Sequence, residues 1–159
     1  MRETLGWGLR LFVIHLFFIF IVWLASYFPG LDLLFSLTYL WVIWQAGVRI
    51  GRQPVRWELK TLLAGIVAQS PGFFLTVANI KYYWGTGIVS GDYTFAFQLW
   101  HTPALPWLSL FSFPVYDGFK SYFLALFLLS PLYLALLLMA GYRARRWTET
   151  SPREGLKQA

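Results

Sequence analysis

The chain contains no cysteine. That excludes disulfides, thiolate nucleophiles, iron–sulfur clusters and zinc–thiolate sites. Charge is almost as scarce, at 13% of 159 residues, against roughly 25% in soluble domains. Acid–base pairs within the long apolar runs are missing too, since none of those runs carries a central Asp, Glu, Lys or Arg. No G-x-S-x-G, H-E-x-x-H or Walker loop occurs. Gly85-Thr86-Gly87 is a two-glycine turn without a phosphate-binding helix after it.

What the chain has instead is hydrophobic bulk, with 58% apolar and 21% aromatic residues. A water-soluble fold this small could not bury so much Phe, Trp and Leu, and its surface would be one continuous adhesive patch. A bilayer removes the difficulty by solvating the apolar face. The sequence therefore reads as an all-α integral membrane protein with four transmembrane helices. They are expected at about residues 11–27, 33–48, 59–80 and 121–141 of a membrane domain covering 1–147.

Basic residues fix the expected orientation. Arg2 and Arg10 precede the first run, and Arg49, Arg52, Arg56 and Lys60 lie between the second and third. Arg143, Arg145, Arg146, Arg153 and Lys157 follow the fourth. These are eleven of the thirteen Lys and Arg residues. This alternation is the positive-inside pattern, which places both termini in the cytoplasm. The inner stretches carry eleven basic and four acidic residues, the outer ones two basic and three acidic. The excess charge is thus an orientation and headgroup signal, and nucleic acid is not an expected partner. Arg49, Arg52, Arg56, Arg143, Arg145 and Arg146 read as headgroup anchors.

In the first run, twelve of the fourteen residues from Leu11 to Leu24 are Leu, Ile, Val or Phe. They contribute on the order of −5 kcal/mol to insertion, which outweighs one neutral His15. The run exceeds a signal-peptide core and lacks a small-x-small cleavage site, so it reads as a retained anchor. Pro29-Gly30 marks a tight turn, with Asp32 placed to cap the next helix. The third run carries small residues at every fourth position: Ala64, Ala68, Gly72 and Thr76. Such a stripe lets helix backbones approach closely, and we expect it to pack against another membrane protein. Pro71 and Pro131 should kink their helices, and Ser70 can satisfy a carbonyl freed by Pro71.

Residues 81–120 form an aromatic outer segment. Gln98 to Phe113 is too short and too proline-broken to span, so it should lie on the membrane or re-enter it. A weak hairpin pattern surrounds Gly91-Asp92, and the tail 148–159 has the composition of a disordered segment.

Few side chains are candidates for chemistry. His15, Gln45 and Gln69 are the possible intramembrane polar contacts, with His15 expected to bond a neighbouring helix, for example at Gln45. His15 near the inner face and His101 outside should be separated by a core of ~30 Å, which would prevent a shared haem or metal. Asp92, His101 and Asp117 are the external acid/base candidates, but no spacing groups them. No catalytic, cofactor or metal residue is assigned. The expected function is a non-catalytic accessory or scaffold subunit in a bacterial-type plasma membrane, bound to another membrane protein or to itself. A small permease component, with Gln69 beside the Pro71 kink, is the alternative. An enzyme acting on a lipid-linked substrate at the outer face is the third.

Overall fold

The computed structural model describes residues 2–53, 56–83, 93–110, 113–116 and 119–150. Four long helices dominate it: α1 (Arg2–Ala25), α2 (Leu31–Gly51), α3 (Trp57–Tyr83) and α6 (Ser121–Thr150). Between α3 and α6 lie α4 (Thr94–Trp100), a 3-10 turn (Thr102–Ala104) and α5 (Leu105–Ser109). A short antiparallel ribbon follows, made of β1 (Pro114–Tyr116) and β2 (Phe119–Lys120).

All four long helices are long and apolar enough to cross a membrane. Their burial is inverted relative to a water-soluble protein. Phe17, Trp41 and Phe74 stand about 60% exposed or more, whereas His15, Ser36, Gln69 and Ser130 are buried. Large apolar side chains outside and polar ones inside are what a hydrocarbon solvent selects.

The helices form a square. α1 packs beside α2 and α3, and α6 packs beside the same two. Of the two short connections, 26–30 joins the neighbours α1 and α2, whereas 52–56 links α2 and α3 at opposite corners of the square. The first is set by Gly30, whose φ of 83° is the left-handed conformation that glycine adopts without a Cβ clash. Gly30 is itself the N-cap of α2. Asp32 therefore lies in the first turn, where its Oδ1 accepts from Leu33 N at 2.9 Å, and does not cap the helix as its position suggested.

The tightest helix contact lies between α2 and α6. A Cβ on Gly51 would sit 2.3 Å from Gly141 Cα, and one on Gly47 would sit 2.6 Å from the Leu137 carbonyl oxygen. Gly47-x-x-x-Gly51 is thus the motif that allows the closest backbone approach. The expected stripe on α3 is also a packing face, but it faces inward. Ala64 and Ala68 are fully buried, and the Cα of Gly72 faces Ser130, Trp100 and Gln69. Ala64, Ala68 and Gly72 are thus spent on contacts within the chain, whereas Thr76 is half-buried and donates only to the Gly72 carbonyl of its own helix.

Helix ends reach further than the sequence suggested. α1 begins at Arg2 and α6 continues to Thr150, so residues 148–150 are helical and not disordered. Helix α3 runs uninterrupted through Pro71. The carbonyl that Pro71 leaves free, that of Val67, accepts from Ser70 Oγ at 3.0 Å. Ser130, beside Pro131, turns its hydroxyl inward instead. The hairpin pattern at Gly91-Asp92, Asp117 and the tail from 151 lie outside the described residues.

The basic residues gather at the end where α1 and α3 begin and α2 and α6 finish. Arg49, Arg52, Arg56, Arg143 and Arg146 are exposed there, and Arg145 is half-buried. Lys60 Nζ lies 3.2 Å from Glu3 Oε2 and donates to Gln53 Oε1 at 2.9 Å. Arg145 Nη1 donates to the Gln53 carbonyl at 3.3 Å. Partly exposed pairs of this kind contribute at most about 1 kcal/mol each. They tie the α2–α3 connection to the ends of α1 and α6.

Candidate functional site

The segment between α3 and α6 does not lie flat across the helix ends. Its turn from Trp100 to Pro103 descends into the square, and each long helix contributes one polar side chain to hold it. The segment is therefore re-entrant with respect to the bundle.

From α1, His15 Nε2 lies 2.9 Å from the Trp100 carbonyl oxygen. A carbonyl can only accept, so Nε2 carries the proton and Nδ1 is left as an acceptor. The Tyr39 hydroxyl of α2 donates to that Nδ1 at 2.6 Å, and Gln69 Nε2 of α3 approaches it at 3.4 Å. Gln69 turns its other end to the same turn, where Oε1 accepts from Trp100 Nε1 at 2.9 Å. From α2, Ser36 Oγ donates to the Pro103 carbonyl. From α6, Ser130 Oγ stands 3.3 Å from His101 Nε2 and 3.5 Å from Gln69 Oε1. His101 Nδ1 donates to the Phe97 carbonyl of its own turn at 2.9 Å.

Position along each helix explains the meeting. His15 is ten residues from the Ala25 end of α1 and Ser130 is nine from the start of α6, about 15 Å in at 1.5 Å per residue. The carbonyls of Trp100, at the end of α4, and Pro103, in the 3-10 turn, have no helical partner and would each lose several kcal/mol if unpaired in an apolar medium. Ser36, His15 and the carbonyls they meet remove that penalty. The rings also stack, with His15 and Trp100 centroids 4.5 Å apart and Phe12 5.8 Å from Trp100.

Two expectations fail here. His15 and His101 are not on opposite faces: α1 extends further than the apolar run alone suggested, and the outer segment dips. Both imidazoles line one cavity. Both ring nitrogens of each are nonetheless taken by hydrogen bonds. Gln45 is not the partner of His15. It lies six residues beyond Tyr39, about 9 Å along the helix, in a separate hollow with Trp7, Arg10 and Arg49.

Beneath the clasp is a cavity of about 330 Å³ between α2, α5 and α6. His15, Gln69 and His101 are at its polar end, and Tyr39, Trp107 and Tyr133 form aromatic walls. Leu40, Leu132 and Met139, all outward-facing, frame its mouth. No Lys, Arg, Asp or Glu lines it. The Tyr133 hydroxyl and the Trp107 indole nitrogen are buried and find no hydrogen-bond partner among the described residues. A buried donor left unpaired is uncommon and costs about 1–3 kcal/mol.

Of the residues singled out from sequence, the fold brings together His15, Gln69, Gly72 and His101. Ser36, Tyr39, Trp100, Ser130 and Tyr133 went unrecognised. A helical signal for two of them existed, because Ser36, Tyr39, Ile43, Ala46 and Ile50 recur on one buried face of α2. Among the described residues, no three His, Asp or Glu side chains come close enough to hold a metal. No family model, curated protein or solved structure matches the chain.

Proposed function

We propose that the chain is an integral membrane protein of a bacterial-type plasma membrane, with both termini cytoplasmic, acting as a non-catalytic accessory subunit. The observation that carries this reading is the four-way clasp. His15, Ser36, Gln69 and Ser130 are committed to holding the re-entrant turn, which is a structural duty. His101, the acid/base candidate of the outer segment, spends both ring nitrogens in the same network. The permease reading loses its main support, because the Gln69 carboxamide is occupied by Trp100 and His15. The basic end with Arg49, Arg52, Arg143 and Arg146 is the cytoplasmic end by the positive-inside rule.

With Ala64, Ala68 and Gly72 of the α3 stripe used internally, the partner surface is the outward aromatic face of α1 at Phe17, Phe20 and Trp23. A photoreactive phenylalanine analogue at Phe17 or Phe20, irradiated in native membranes, should give a protein adduct of one discrete mass. Adducts with lipid alone from both positions would reject an accessory role. A cysteine at Gln69 that reacts with a small water-soluble thiol reagent in the folded protein would restore the permease reading.

A further inference from the structure

The cavity between α2, α5 and α6 has an apolar, aromatic lining, a lateral mouth, and two buried donors without acceptors. These features specify a ligand. It must be uncharged, because no ionic side chain lines the cavity to meet a charge. It must bring hydrogen-bond acceptors, because Tyr133 Oη and Trp107 Nε1 both have a proton to donate and no partner among the described residues. It must be soluble in hydrocarbon, because the mouth at Leu40, Leu132 and Met139 lies on the outward face of the helices. Flat walls at Tyr39, Trp107 and Tyr133 suit a planar ring, which gains from stacking.

We propose that this cavity binds the head ring of an isoprenoid quinone. Two ring carbonyls supply acceptors for the two donors, and the tail leaves through the mouth into lipid. A cavity of about 330 Å³ is within the usual range for small-ligand sites, roughly 300–1,000 Å³, and takes the ring while the tail stays outside. Depth favours a quinone over a glycerolipid. Tyr133 lies twelve residues into α6, about 18 Å from its start. Ester carbonyls remain near the headgroups, whereas an uncharged quinone ring can enter the hydrocarbon. The site rests on the membrane reading above, which cysteine labelling tests independently.

The test is equilibrium binding of a decyl-substituted benzoquinone to the full chain in nanodiscs, read by calorimetry. Decylbenzene, which keeps ring and tail but lacks carbonyls, is the control, and dioleoylglycerol is the competitor. The quinone should bind saturably and decylbenzene should not. Tyr133→Phe and Trp107→Phe should each weaken binding up to about tenfold, the value of one hydrogen bond. Leu132→Trp, at an outward-facing position that leaves the core intact, should block the mouth and abolish binding without lowering the melting temperature. Equal binding of quinone and decylbenzene, unchanged affinity in both phenylalanine variants, or absence of saturable binding would each overturn the proposal. Displacement of the quinone by dioleoylglycerol at equal concentration would overturn it in favour of an ester-bearing lipid.

Discussion

Replacing Gln69 by Leu tests the clasp most directly. An average interhelical hydrogen bond in a membrane contributes about 0.6 kcal/mol, and a Gln that merely bridged two helices would lose no more. Gln69 does more than bridge. Its Oε1 is the acceptor for the Trp100 indole at 2.9 Å, and both residues are buried. Leucine fills nearly the same space but leaves that N–H without an acceptor, which costs about 1–3 kcal/mol. The other partners are spared, because His15 Nδ1 keeps Tyr39 and Ser130 keeps His101. The expected loss is therefore about 2 kcal/mol. Trp100→Phe should remove most of that sensitivity by deleting the stranded donor. In a double-mutant cycle the pair should be less destabilised than the sum of the singles by about 1 kcal/mol or more. Equilibrium unfolding in mixed detergent micelles measures all four corners. A loss of about 0.6 kcal/mol or less for Gln69→Leu, together with additivity, would refute the role given to this side chain.

Further expectations concern packing and orientation. Gly51→Leu should separate α2 from α6, since even a Cβ would meet Gly141 Cα at 2.3 Å, and the loss should reach about 3 kcal/mol or more by unfolding. Leu62→Ala, at an outward-facing position, should cost under ~1 kcal/mol by the same assay. Ser36→Ala removes the donor to the Pro103 carbonyl and should lower stability by about 1 kcal/mol, with faster proteolysis in the 93–110 segment. A cysteine at Arg52 should be shielded from an impermeant thiol reagent in intact cells, whereas one at Asp92 should be labelled. The native chain has no cysteine to add background. Labelling at Arg52 before lysis would reverse the orientation.

Much of the scaffold was legible because hydrophobic length and charge alternation are collinear signals. The four long helices coincide with the four apolar runs, and the basic residues cluster at one end of the square. Boundaries were less legible: α1 runs on through the mixed polar stretch from Arg2 to Arg10, so apolar content alone marked the start too late. The α3 stripe was readable as a packing face, but its direction was not. A four-residue period says that backbones can meet and not which helix they meet. The Gly47/Gly51 pair was the same signal on α2 and was masked by the charged Arg49 between them. The clasp was invisible for a different reason. His15, Ser36, Gln69, Trp100 and Ser130 come from five separate elements, and no local spacing relates residues 31 to 85 positions apart.

The clasp also constrains the order of assembly. In a bilayer, α1 and α2 can insert as a hairpin and α3 can join them, each satisfying its own backbone. The Trp100–Pro103 turn has no such autonomy. Its carbonyls need His15 and Ser36, its indole needs Gln69, and the imidazole beside it needs Ser130. Those four supports are complete only after α6, which emerges later than the other three long helices, has taken its place. Until then the turn is best solvated outside the hydrocarbon, where water supplies the missing partners. Its descent therefore waits on the insertion of α6, and a chain truncated before α6 should retain three inserted helices and a solvent-accessible Trp100.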